Sequence, residues 1–262
     1  MLYGVLDWRT RWARGAAMIA ILSQLLMTNL LHPASARAAY NCLNPHCYGV
    51  NAWSGARGSF WGSSTTIKIA WSASPEINSH LTNEMWLIDN GNPDPKCMCW
   101  VEVGEFVGRT LDGSPTNVPI YFFADNRPVW GYAEHYVATV PNGNFGYNTD
   151  FEIYRNPGVA NRFEVYIRSS AGDIYPSGLA STSNSMQPTT INIGEELYGT
   201  DGAFSEQARW SYNKWITSTG TRYYQTNNGM GSPPNNPPYA GWGVNELPSQ
   251  SSTGGAWYAD TH

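Results

Sequence analysis

The stretch that decides the fold is "WVEVGEFVG", Trp100 to Gly108. Read with a period of two, Val101, Val103, Glu105 and Val107 fall on one side, and Trp100, Glu102, Gly104 and Phe106 on the other. The three valines mark a side that packs against another layer, so the segment is a half-buried strand. Glu102 projects from the opposite side, between two aromatics and beside a glycine that leaves space. Glu105 points with the valines, where an ionised carboxylate is costly. It is therefore expected near a strand end, beside an arginine such as Arg109, or as a sign that the two sides are assigned the wrong way round.

The same alternation recurs along the chain. "STTIKIAWS", "NEMWLID", "VPIYFFAD", "YAEHYVATV", "DFEIYRN", "RFEVYIRS", "TTINIGEELY" and "EQARWSY" all read as strands. Turn signals such as "NGNPDP", "LDGSP", "PNGNFG" and "SAGD" separate them. No helical stripe of ten or more residues stands out beyond the N-terminal segment, with a short helical turn conceivable only around 205–214. Many strands without intervening helices predict an all-β, antiparallel sandwich or barrel. The segment 225–252, rich in Pro, Asn and Gly, is expected to be a loop rather than a strand, because proline cannot donate to a ladder.

Residues 1–38 have the layout of a secretory signal: Arg9, Arg11 and Arg14, an apolar run, and a small-x-small site at Ala36-Arg37-Ala38. The apolar run is interrupted by polar residues and short for a bilayer span, so no membrane association is expected after its removal. The expectation is a secreted, extracellular single domain over residues 39–262. Residues 1–38 hold four arginines and one aspartate, so without them the net charge moves from −5 to −8. A chain this acidic lacks the clustered Lys and Arg that nucleic acid requires, and nucleic acid is excluded as a partner.

Cys42, Cys47, Cys97 and Cys99 make an even count in an exported chain, most simply two disulfides. Cys97 and Cys99 share one side of an extended strand, which strains a bond between them. The expected pairs are Cys42 with Cys97 and Cys47 with Cys99, or the crossed arrangement. A four-thiolate zinc site has the wrong spacing. His46, His80, His135 and His262 form no metal-binding pattern, there is no nucleophile elbow and no phosphate loop, and no metal or cofactor is expected. In "YAEHY", alternation sends Glu134 and His135 to opposite sides.

"TINIGEELYG" repeats the pattern of the opening strand. Ile191, Ile193, Glu195 and Leu197 form one side; Asn192, Gly194, Glu196 and Tyr198 form the other. Glu102 and Glu196 thus share an environment of aromatic, amide and glycine. In one curved sheet they would meet, and two carboxyls brought close in a dry site cannot both ionise readily. Such a pair supplies an acid and a base together. Trp100, Tyr121, Trp130, Tyr132, Asn192 and Tyr198 are the residues expected to line the surrounding surface.

"WVEVGEF", "IYFFAD", "GYAEHYV", "DFEIYRNPGVANRFEVYI", "YPSGL" and "INIGEELYG" resemble, in order and spacing over about 86–210, the catalytic domain of the neprosin family of glutamic peptidases. The resemblance implies an antiparallel β-sandwich related to the eqolisins, an acid-active endopeptidase with a polypeptide substrate, and Glu102 and Glu196 as its catalytic pair. Glu102-Val103-Gly104 matches the family's Glu-small-Gly strand motif. Glu196 matches the second motif by position, with Glu195 where the family usually has glycine. The chain departs from the plant members in lacking room for their prodomain before Cys42 and in having no cysteine in "NRPVWGYAEHY". Two other readings of the same residues are a glycoside hydrolase using the carboxyl pair on a polysaccharide, and a non-catalytic module stacking its aromatic side on sugar rings or peptides.

Overall fold

A computed structural model describes residues 46–69, 72–73, 79–92, 99–110, 115–127, 131–141, 146–159, 162–169, 172, 174–175, 179–181, 186–198, 204–205, 207–225, 235–236, 242–247 and 256–261. The signal-like segment 1–38, Cys42, Cys97 and Trp130 lie outside the described residues, as does the side chain of Cys47. Two compact units divide the chain, Met1–Ala38 and Ala39–His262, and every described residue belongs to the second.

The described elements are all strands: β1 (His46–Ser54), β2 (Gly62–Lys68), β3 (Ser72–Ala73), β4 (His80–Ile88), β5 (Trp100–Arg109), β6 (Pro115–Arg127), β7 (Gly131–Thr139), β8 (Asn148–Arg155), β9 (Arg162–Ser169), β10 (Ile174–Tyr175), β11 (Leu179–Ser181), β12 (Thr190–Tyr198), β13 (Phe204–Ser205), β14 (Ala208–Ile216), β15 (Arg222–Tyr224), β16 (Asn235–Asn236), β17 (Trp242–Leu247) and β18 (Ala256–Thr261). One antiparallel sheet runs β16-β1-β12-β4-β5-β6-β7. The second runs β10-β9-β8-β2-β14-β18-β17, with β11 beside β9 and β15 beside β14. The protein is thus an all-β antiparallel sandwich.

The valine side of β5 faces the other sheet, as its alternation predicts. Val101 and Val103 join Met85 and Leu87 of β4, Ile191 and Ile193 of β12 and Phe123 of β6 in one core with Phe151, Ile153, Phe163, Val165 and Trp210 of the second sheet. Removing this apolar area from water is the main stabilising contribution, at roughly 1.5–3 kcal/mol for each fully buried large side chain. Polar ties also cross the layers; in one, the Trp210 indole N–H donates to the Glu84 carbonyl of β4 at 3.1 Å. It anchors the middle strand of the first sheet from behind.

Two expectations are corrected, and one strand that the pattern missed is added. Residues 208–216 form strand β14, as the alternation of "EQARWSY" expects, and not the short helical turn allowed around 205–214; the chain there carries a bulge between Ser211 and Lys214, with Tyr212 at φ 53°. The Pro/Asn/Gly-rich segment contains β16, paired with β1, and the six-residue β17, paired with β18. The prolines of the segment, Pro233, Pro234, Pro237, Pro238 and Pro248, lie outside both strands, so no ladder position lacks its donor. β1 escapes pattern reading because its inward positions include Gly49 and the fully buried Asn51, which break the apolar alternation.

Candidate active site

The register of β5, β4 and β12 builds the site. Glu102 of β5 stands opposite Trp86 of β4, and Trp86 opposite Asn192 of β12. The next row is Gly104, Glu84 and Gly194; the one after is Phe106, Thr82 and Glu196. All of these project from the face turned away from the second sheet. Glu102, Glu84 and Glu196 therefore lie on one diagonal across three neighbouring strands, with Glu84 in the middle. Diagonal neighbours in a sheet have Cα atoms about 7–8 Å apart, within reach of glutamate side chains.

This outer face is buried at its centre. Glu84 is 1% and Glu102 4% exposed, while Glu196 is partly exposed. Phe106, Phe122 and Ala124 form a small apolar cluster beside the acids, with Ile120 and Tyr132 packed against it. Gly104 and Gly194 flank Glu84 and cannot be enlarged. A Cβ on Gly104 would strike the Asn83 carbonyl and come within 2.6 Å of the Glu84 Cβ; one on Gly194 would strike the Gly49 carbonyl.

The hydrogen bonds are specific. The Tyr132 hydroxyl donates to Glu102 Oε1 at 2.6 Å and lies 3.2 Å from Glu134 Oε1. A phenol has one hydrogen, so meeting both carboxyls requires one of them to be protonated and to donate back. Tyr136 donates to Glu134 Oε2, and Thr82 Oγ1 donates to Glu84 Oε1. Glu84 Oε2 is buried and has no hydrogen-bond partner among the described residues.

Burial, then the charge of Glu196, pushes the Glu102 carboxyl up to about 8; hydrogen bonds from Tyr132 and Trp86 pull the other way. Glu84 holds its proton well above the usual carboxylate range, first from burial and then from the charges of Glu102, Glu196 and Glu134. The same burial and the neighbouring acids keep Tyr132 a neutral phenol. Chemically, this is a site that stores protons on carboxyls at pH values where free carboxyls have lost them. Among the described residues no group of three or more His, Cys, Asp or Glu has the geometry to hold a metal ion.

Of the residues singled out from the sequence, the structure brings Glu102, Glu196, Trp100, Tyr132, Asn192 and Tyr198 onto this one face. Trp100 packs on Tyr132 with ring centroids 6.3 Å apart, and Tyr198 stacks on His80 at 5.1 Å. Tyr121 is a correction. It pairs with Glu105, points into the core at 0% exposure, packs edge-on against Phe151 and hydrogen-bonds Thr149 across the sandwich at 3.2 Å. Its neighbour Phe122 takes the outer position. Cys99 is buried and disulfide-bonded.

Glu105 keeps the side its alternation assigns, but sits mid-strand at 0% exposure, with the Asn83 amide 3.4 Å from its Oε1. Burial pushes it up to about 8 against the bonds from Ser72 and Asn83. Protonation, not a strand end or an arginine, removes the cost of its charge.

Glu84, Trp86 and Glu134 are missed by the sequence reading. The signal for Glu84 was available: in "LTNEMWLI", Leu81, Asn83, Met85 and Leu87 share one side, and Thr82, Glu84 and Trp86 the other, the same mixture that marks Glu102 and Glu196.

No family model and no curated protein matches the chain. Solved structures do. A scytalidoglutamic peptidase with a peptide-based transition-state analogue superposes with a TM-score of 0.54 at 11% identity, over 82% of this chain and 98% of that one. SCP-B, an eqolisin-family peptidase in complex with the tripeptide Ala-Ile-His, gives 0.52 at 12% identity over the same shares. The chain has the eqolisin fold. At these identities the likeness establishes the fold, and the chemistry has to be argued from the residues.

Proposed function

We propose that the protein is an exported glutamic endopeptidase of the neprosin type that hydrolyses peptide bonds at acid pH. One observation carries the reading: Glu102 and Glu196 share the buried outer face of one sheet, and the charge of Glu196 helps hold a proton on Glu102. The peptide-bound complexes of the eqolisin-fold enzymes support a polypeptide substrate, and the disulfide at Cys99 supports an oxidising compartment.

The more exposed Glu196, as carboxylate, takes a proton from a water that attacks the scissile carbonyl carbon. Glu102, protonated, donates a hydrogen bond to the carbonyl oxygen and stabilises the negative charge that develops there. Glu196 then passes its proton to the departing amine, the C–N bond breaks, and both carboxyls return to their starting state. Tyr132 and Trp86 hold Glu102 in place from two sides.

The test is digestion of an unfolded protein at acid pH by wild type, Glu102→Gln and Glu196→Gln. Glu196→Gln loses the base and is expected to drop kcat by about 10³-fold or more, while Glu102→Gln keeps an N–H donor and loses roughly 10–10²-fold. Equal activity in all three variants would remove the assignment. Release of reducing ends from a polysaccharide panel without peptide cleavage would replace it with the glycosidase reading.

A further inference from the structure

A line of aromatic rings runs beside the line of acids, one ring from each of five successive strands of the sheet. Tyr198 of β12 and His80 of β4 are register partners and stack with centroids 5.1 Å apart and planes 19° from parallel. His80 leans on Phe106 of β5 at 5.2 Å, and Phe106 meets Phe122 of β6 at 5.8 Å and Tyr136 of β7 at 6.0 Å. On β12 the ring stands two residues beyond Glu196; on β4 and β5 it stands four residues beyond Glu84 and Glu102, in the same direction. The line has a buried base and an accessible end. Phe106 and Phe122 are each 1% exposed, whereas His80 and Tyr198 are partly exposed beside Glu196. Gly108, opposite His80, makes room for this: its φ is +119°, and a Cβ there would strike the Ser79 carbonyl and come within 3.0 Å of the His80 Cβ.

We propose that the His80–Tyr198 pair is a specificity subsite that takes an aromatic side chain of the peptide substrate. This rests on the peptidase reading and deepens it by naming the residue class the enzyme selects. Two rings already stacked on a packed base offer a third ring a preformed surface, and aromatic pairs gain from their geometry beyond the area they bury. Aliphatic side chains gain the burial alone. A sugar ring can also stack, but its hydroxyls need polar partners. Here the base is the apolar cluster of Phe106 and Phe122, and the Thr82 hydroxyl, the next outward group on β4, is donated to Glu84. The subsite is close to the chemistry: Tyr198 follows Glu196 by two strand positions, about 7 Å along β12. An extended substrate advances at the same rate, so the selected side chain lies within about two residues of the scissile bond.

Peptides in which one phenylalanine is moved along an otherwise constant chain test this. Wild type is expected to favour phenylalanine over alanine by about tenfold in kcat/KM at one position within about two residues of the cut. Tyr198→Leu and His80→Leu are expected to reduce that preference to about twofold, chiefly through KM, and Tyr198→Phe, which keeps the ring, to retain it. General damage to the fold would lower the rates on both peptides together and leave their ratio in place. Cleavage without any such preference, or a preference untouched by both leucine variants, would overturn the subsite and leave the peptidase reading standing. A binding measurement at fixed pH keeps the test independent of cleavage: proton NMR of the imidazole rings in Glu196→Gln. The phenylalanine peptide is expected to shift the His80 resonance, assigned by its loss in His80→Leu, and the alanine peptide to leave it in place. A His80 resonance that moves with neither peptide, or only with an oligosaccharide, would overturn the proposal. A shift by the phenylalanine peptide in a protein whose wild type cleaves nothing would uphold the subsite and overturn the peptidase reading alone.

Discussion

Replacing Glu105 by glutamine should make the protein less sensitive to rising pH. Glu105 is fully buried between the sheets and holds its proton to about 8, against 4.5 for an ordinary glutamate. Because the folded value lies above the unfolded one, the unfolded chain releases this proton first. The stability tied to it is fully present below about pH 4.5 and is lost as pH rises toward 8. At roughly 1.4 kcal/mol per unit, the full gap is worth about 5 kcal/mol, of which about 3 is lost between pH 4 and pH 7. Glutamine has the same shape, keeps a hydrogen-bonding amide for Asn83 and Ser72, and cannot ionise. Denaturant unfolding of wild type and Glu105→Gln at the two pH values gives a double difference from which acids common to both proteins cancel. The expected result is near-equal stability at pH 4 and an advantage of about 3 kcal/mol for the variant at pH 7. Parallel pH dependence in the two proteins would refute the claim that burial, rather than an undescribed cation, decides the state of Glu105.

Two further substitutions probe the site from its edges. Tyr132→Phe removes a hydrogen bond that favours the charged form of Glu102, so Glu102 should hold its proton to higher pH and the alkaline limb of the kcat/KM profile should move up, by about half a unit or more; a downward shift would contradict the donor role. Gly104→Ala places a methyl group against the Asn83 carbonyl and Glu84 and should cost about 1–3 kcal/mol in unfolding free energy with a lowered Tm, whereas an unchanged Tm would mean that the close approach of β5 to β4 is not required.

Much of this architecture is legible locally. Side-chain period in a strand is fixed by backbone geometry, so the valines of β5 and the isoleucines of β12 declare the inward side, and Glu102 and Glu196 are assigned to the outward one without any knowledge of partners. Tyr121 shows where that fails. "IYFFAD" is apolar on both sides because both sides of β6 are buried, so alternation there carries no direction. The strands of the C-terminal segment fail for another reason: its prolines argue against a ladder over the whole stretch, yet they lie between the strands and not within them.

By itself, then, the sequence determined the all-β class, the inward and outward sides of the strands that alternate, and the likeness of the two settings around Glu102 and Glu196. These are properties of short segments, set by the period of the extended chain. Only the tertiary structure decided which strand runs between those two acids. The answer depends on β4 pairing with both β5 and β12 in one register, a contact between segments about a hundred residues apart, and a shift of one residue would turn Glu84 into the core. The same register made Glu105 a buried, protonated acid and Glu84 the middle carboxyl of three.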